Sequence, residues 1–206
     1  MTAEPTTRER IRQEAAALFR EKGFNGTSMA ELASEVGITK SSLYHHFPSK
    51  QALLSEIIEL TVNRVTPLVH DVAHSDLPAG ERLRQAVYIH TFEAMRDRDA
   101  VACFMEEGRS LAPDYMAAHI RNRDRYELLF RQIYEEGVGQ GVFVDQDPGL
   151  AVKAILGMCN SVVRWYRPDG SRSADEIATE FARFTVRGAA AHEVSPVEEM
   201  AHERSA

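Results

Sequence analysis

Residues 27–50, TSMAELASEVGITKSSLYHHFPSK, decide the fold. They hold two short helical patterns separated by a glycine turn. Ser28 and Glu31 stand at capping-box spacing, in which the hydroxyl accepts the Glu31 N–H and the carboxylate reaches back. Met29, Leu32, Ala33 and Val36 then recur at three- and four-residue steps and form one apolar face. Gly37 ends this helix where a positive φ is favoured. Ile38 plugs the turn, Thr39 is the next N-cap, and Lys40 to Phe47 spells a helix too short to stand without packing on its neighbour. Leu43 and Phe47 point into a three-helix core. Lys40, Ser41, Ser42, Tyr44 and His45 make an unusually polar outer face, rich in donors for base edges and phosphates. Pro48 stops the helix. Ser49 caps another, whose first residue, Lys50, is placed for a phosphate contact assisted by free N–H groups. His45 and His46 are a poor metal pair, because adjacent helical residues point about 100° apart.

This pattern, with the preceding helix carrying Ala15, Leu18, Phe19, Gly23 and Phe24, resembles the TetR family of transcriptional regulators. The matching positions are Thr27, Ser28, Ile38, Leu43, Tyr44, Phe47 and Lys50, and the resemblance covers roughly residues 5–65. It implies DNA contacts by Thr27 or Ser28, by Thr39, Lys40, Ser41 and Ser42, and by Tyr44, His45 and Lys50. It also implies an all-α chain. A helix-turn-helix domain over 5–65 would be followed by a larger helical effector-binding and dimerisation domain over 66–193, then a flexible tail over 194–206.

The net charge of −7 is unevenly distributed. Residues 1–50 hold seven Lys/Arg against six Asp/Glu, a balance of +1, which leaves −8 for the remainder. An acidic body repels DNA and leaves only the amino-terminal head to approach it. Such modest local charge also suits a dimer presenting two heads to a palindromic operator. The opening MTAEPTTRER has no apolar signal region, and no run of 18 apolar residues occurs, so a cytoplasmic protein without a membrane span is expected. Cys103 and Cys159 lie in apolar helical patterns and read as core residues.

Downstream, apolar periodicity predicts helices over 49–74, 81–98, 100–111, 113–137, 148–167 and 174–192, with Pro67 a candidate kink. Asp147 with Pro148, and Ser173 with Glu176, mark helix starts. From Ala151 to Trp165 nearly every side is apolar, so that helix must be covered all round. Together with the last helix it supplies a candidate homodimer interface at Ile155, Val162, Ile177, Phe181, Phe184 and Gly188, the four-helix arrangement the resemblance implies.

Candidate ligand residues between the head and these helices are Phe92, Phe104, Arg109, Tyr126, Phe130, Met158 and Trp165, since aromatic and Met side chains combine apolar bulk with adaptability. Arg109 can pair with Glu106 or Glu107 or receive an acidic ligand group. Arg121, Arg123 and Arg125 can form a solvated face or hold phosphates at a pocket mouth. Residues 161–170, SVVRWYRPDG, with the SADEIA that follows shortly after, resemble actinobacterial repressors of steroid and lipid catabolism that sense CoA thioesters. A hydrophobic or acyl-CoA-type effector that releases a repressor from DNA follows from that resemblance. The alternative is a DNA-binding organiser or protein-interaction factor without an inducer. No catalytic constellation, cofactor motif or metal set is found: His70 and His74 lie four apart but have no third ligand, and His90 with Glu93 is no better.

Overall fold

The computed structural model describes residues 4–191. The tail expected over 194–206 lies outside them. The described chain forms ten α-helices: α1 (Thr7–Gly26), α2 (Met29–Val36), α3 (Lys40–His46), α4 (Lys50–Ala73), α5 (Ala79–Arg96), α6 (Arg98–Glu107), α7 (Pro113–Gly139), α8 (Pro148–Asn160), α9 (Val162–Trp165) and α10 (Ala174–Ala189). A single 3-10 turn, Gly108–Ser110, joins α6 to α7, and no strand is present among the described residues.

Local chemistry sets the helix boundaries. Ser28 with Glu31 and Ser173 with Glu176 form reciprocal capping boxes, Thr39 accepts from Ser42 N–H, and Asp147 caps α8 with Pro148 in its first turn. A further capping box, Thr6 with Glu9, opens α1. Gly37 takes φ 74°, the left-handed value its position in the turn requires.

Three helix boundaries depart from the periodicity. The break expected between the helices over 81–98 and 100–111 falls at Asp97, which leaves helical geometry (φ −121°, ψ 48°). The helix expected over 148–167 is interrupted after Asn160 and resumes only as the short α9. The last helix ends at Ala189, because Ala190 pairs with Phe143 and Ala191 N–H donates to Val142 O. Pro67 is accommodated within a continuous α4.

α1–α3 and the first half of α4 enclose one core, in which Ile11, Phe19, Leu32, Leu43, Phe47 and Leu53 are buried. Ala100, Cys103 and Leu111 from the body belong to the same cluster. α4, about 36 Å long at 1.5 Å per residue, runs without interruption from this core into a second one with α5, α7, α8 and α10. The 65/66 boundary therefore falls inside a helix shared by both units. α10 packs mainly along α5, and a third cluster joins α5, α6, α9 and α10. Both cysteines are buried and unpaired, and burial pushes their thiols up to about 12 for Cys103 and about 11 for Cys159.

Candidate functional site

The outer face of α3 and the N-caps beside it form the first candidate site. Ser28, Thr39, Lys40, Ser41 and His45 are exposed, Ser42 is half-buried, and Tyr44 is 43% exposed. Lys40 Nζ lies 5.9 Å from the Tyr44 ring centroid, which holds two donors on adjacent turns. Ser28 and Thr39 accept backbone N–H groups through their oxygens, so each hydroxyl proton remains available for an outside acceptor. Beneath this face, Leu43 and Phe47 are fully buried, and the Arg8 guanidinium stacks 4.2 Å from the Phe47 ring centroid while its N–H donates to His46 O.

Two predicted contact residues stand elsewhere. Thr27 is only 1% exposed, and its hydroxyl donates to Gly23 O at 3.0 Å, so its side chain faces the core. Lys50 directs its ammonium back onto Phe24 O and Thr27 O, at 2.6 and 2.7 Å, and over the Phe24 ring at 4.4 Å. Carbonyls at a broken helix end attract a cation as a phosphate does, and they are close at hand within the same fold. Gly23 breaks α1 with φ 75°, which presents these carbonyls to Lys50. Lys50 is thus a clamp between α1 and α4.

The second candidate site is a cavity of about 250 Å³ enclosed by α4, α5, α6, α7 and α8. Val62, Val65, Val101, Phe104 and Leu156 give it an apolar wall. Of the predicted ligand residues, Phe104 and Tyr126 line it. The other five do not. Phe130 is fully buried and meets His90 edge-on from behind, Met158 packs in the second core, and Phe92 stacks on Tyr88 in the third. Arg109 is exposed in the 3-10 turn, and Trp165 is half-exposed in a separate groove beside α10.

Periodicity did not disclose the polar wall of this cavity. His90 Nδ1 lies 2.8 Å from the Tyr126 hydroxyl, and Nε2 lies 3.1 Å from Asn160 Oδ1. Burial pushes the imidazole down to about 4 although the Asn160 contact raises it, and burial raises the Tyr126 phenol. Glu93 at the wall receives Arg64 and Arg96. The spacing that could have signalled this site is Lys153, Gly157 and Asn160, which fall on one face of α8 and all line the cavity.

At the α7–α8 surface the cavity adjoins a basic mouth. Arg121, Arg123, Arg125, Arg131 and Lys153 gather there around Asp124 and Glu127. Arg123 pairs with Asp124 and Arg131 with Glu127, while Arg121, Arg125 and Lys153 have no ion-pair partner among the described residues. Arg123, Glu127 and Lys153 belong to both the mouth and the cavity.

Head and cavity are mechanically connected through α6. It packs against α1, contributes Val101 and Phe104 to the cavity, and carries Asp99, which pairs with Arg20 of α1 at 3.0 Å. Beside it the Gln51 side chain of α4 donates to Ser110 O and accepts from Ala112 N–H.

The proposed interface positions divide in two. Ile155 and Val162 are buried within the subunit, so neither can contribute its side chain to a partner. Ile177 and Phe181 are half-buried, Gly188 is exposed with open space around it, and Phe184 is 68% exposed. Among the described residues no helix is long and apolar enough to cross a membrane, and no cluster of three or more His, Cys, Asp or Glu side chains could hold a metal ion.

Residues 11–57 match the family model described as bacterial regulatory proteins, tetR family, and residues 76–189 match the tetracyclin repressor-like C-terminal domain. The transcriptional repressor KstR2 of Rhodococcus jostii is 30% identical over 179 residues, covering 85% of this chain and 87% of that protein. Among solved structures, the regulator PfmR from Thermus thermophilus is 37% identical with a TM-score of 0.80, covering 87% of this chain and 98% of PfmR. AibR in complex with isovaleryl coenzyme A and operator DNA is 25% identical with a TM-score of 0.77, covering 87% of this chain and 97% of AibR. This chain belongs to the TetR family of bacterial regulatory proteins.

Proposed function

We propose that the protein is a dimeric, cytoplasmic transcriptional repressor that binds a palindromic operator through α3 and is released by an acyl thioester of coenzyme A. The observation that carries this reading is the pairing of an apolar cavity with a basic mouth at α7 and α8. An acyl group suits the cavity wall, while the phosphates of coenzyme A suit Arg121, Arg125 and Lys153. AibR, similar over most of this chain, binds isovaleryl coenzyme A and operator DNA, and KstR2 is a repressor.

Ser28, Thr39, Lys40, Ser41, Ser42, Tyr44 and His45 serve as the DNA contacts, with base reading concentrated at the start of α3 and phosphate contacts around it. The exposed faces of α8 and α10, centred on Phe184 and Gly188, join two copies, because an aromatic side chain 68% exposed on a helix of small residues needs cover. Filling the cavity displaces Val101 and Phe104 and therefore α6, which carries α1 and changes the separation of the two heads. The effector must favour the released spacing by a few kcal/mol to empty the operator usefully.

Isothermal calorimetry with a panel of acyl-CoAs, coenzyme A and the matching free acids tests the effector class. Binding of the thioesters with weaker or absent binding of the acids is expected. Heat from none of the thioesters would remove the proposal, and equal binding of free acids would assign the mouth no part in it.

A further inference from the structure

One wall of the cavity is polar in a way that an unfunctionalised acyl chain does not use. Where His90, Tyr126 and Asn160 meet, the hydrogen-bond directions can be assigned by elimination. Tyr126 is 7% exposed, and among the described residues its hydroxyl bonds only to His90 Nδ1, at 2.8 Å. A buried O–H without an acceptor is costly, so Tyr126 donates and Nδ1 accepts. A neutral imidazole with Nδ1 as acceptor carries its proton on Nε2. That proton needs an acceptor, and Asn160 Oδ1 lies 3.1 Å away. With its oxygen turned to His90, Asn160 must present its NH2 to the other side. Thr61, another uncharged polar residue of the lining, donates its hydroxyl to Ile57 O, whereas the Asn160 NH2 has no partner among the described residues.

We propose that Asn160 is a specificity-determining residue: its free amide N–H donates a hydrogen bond to an oxygen acceptor, a ketone or similar carbonyl, carried on the buried part of the effector. His90 and Tyr126 are positioning residues that fix which face of the amide the ligand meets. This inference rests on the thioester reading, which supplies the chain that carries the oxygen.

The test uses octanoyl-CoA against its 5-oxo, 6-oxo and 7-oxo derivatives, titrated into the full-length protein by calorimetry. At least one oxo derivative is expected to bind about ten-fold more tightly than octanoyl-CoA, the scale of one neutral hydrogen bond in a site that otherwise leaves the donor unpaired. Asn160→Leu should erase that preference, so that no oxo derivative binds this variant more tightly than octanoyl-CoA binds it. Asn160→Asp, which retains an acceptor for His90 but has no N–H, should erase it as well and guards against a folding defect in the first variant. An oxo series indistinguishable from octanoyl-CoA, or a preference that survives in both variants, overturns the proposal. If no thioester binds at all, the effector reading fails separately. The donor is then tested by NMR of the Asn160 side-chain amide, assigned with these variants: cyclohexanone should shift it and benzene should not, and no difference between the two overturns the assignment of the donor.

Discussion

On α3 the polar side chains stand in water on consecutive turns of one short helix, whereas in the cavity they arrive from α5, α7 and α8 and face one another. The first arrangement leaves donors uncommitted, which is what a surface needs to meet a polyanion at many points. The second commits nearly every donor and acceptor internally and leaves one amide over. An exposed lysine such as Lys40 contributes little to folding and can be devoted to a partner. A half-buried histidine such as His90, bonded on both ring nitrogens, cannot vary without disturbing two neighbours. The head should accordingly lose function without losing stability, and the body should lose stability first.

The largest effect that sharpens this contrast lies far from both sites. A Cβ on Gly137 would sit 2.1 Å from the Phe143 ring, and that ring is held by the Gly137 O bonds from Val142 and Phe143 N–H. Gly137→Ala should cost about 3 kcal/mol or more in chemical denaturation, since the packed ring must move. Near-normal stability would show that the α7 end yields more easily than its packing implies.

A pH effect of intermediate size distinguishes the buried wall. The His90 imidazole is pushed from 6.5 down to about 4, so the unfolded chain binds a proton in that interval that the folded chain refuses. Stability is complete above the unfolded value and falls as pH drops, by about 2 kcal/mol between pH 6.5 and 5. His90→Gln should flatten the stability profile over that range. Carboxylates lowered by their partners, such as Glu81 held at about 2 by Arg84 and Gln85, contribute only at lower pH. An unchanged slope would place the proton sensitivity elsewhere.

Two head residues separate clamp from reader. Lys50→Ala should destabilise the protein by about 2 kcal/mol through loss of charge-assisted bonds to Phe24 O and Thr27 O. Tyr44→Ala and Lys40→Ala should leave thermal unfolding unchanged and weaken operator binding by about 1–2 kcal/mol each, with Lys40→Ala also relaxing base preference. If Lys50→Ala left stability intact and removed one unit from the salt slope of binding, a phosphate contact would replace the clamp. The smallest effect concerns the mouth: Arg121→Ala with Arg125→Ala should weaken thioester binding by about 1 kcal/mol at low salt and less at high salt, because exposed charges are screened. A salt-independent loss would argue for direct, desolvated contacts.

Much of the head was legible along the chain because its determinants are local. Ser28 with Glu31, Gly37, Thr39 and the Leu43–Phe47 pair act within one or two turns, and each fell where its spacing put it. The bonds of Lys50 were not legible because its partners, the Phe24 and Thr27 carbonyls, lie 26 and 23 residues earlier, beside a break in α1. The cavity was harder. Phe130 and Met158 belong to apolar stripes that look alike whether they face a core or a void, and only tertiary packing decides between them. His90 and Asn160 are 70 residues apart, and neither spacing nor composition announces that they touch.

The proposed function requires coupling between the cavity with its basic mouth and the DNA-binding head. Fluorescence anisotropy of the protein on a labelled fragment of its own upstream region, titrated with acyl-CoAs, measures that coupling directly. Saturable release by at least one thioester is predicted, with the half-release concentration raised by Arg121→Ala with Arg125→Ala. Tight operator binding that no thioester alters at any concentration would contradict it.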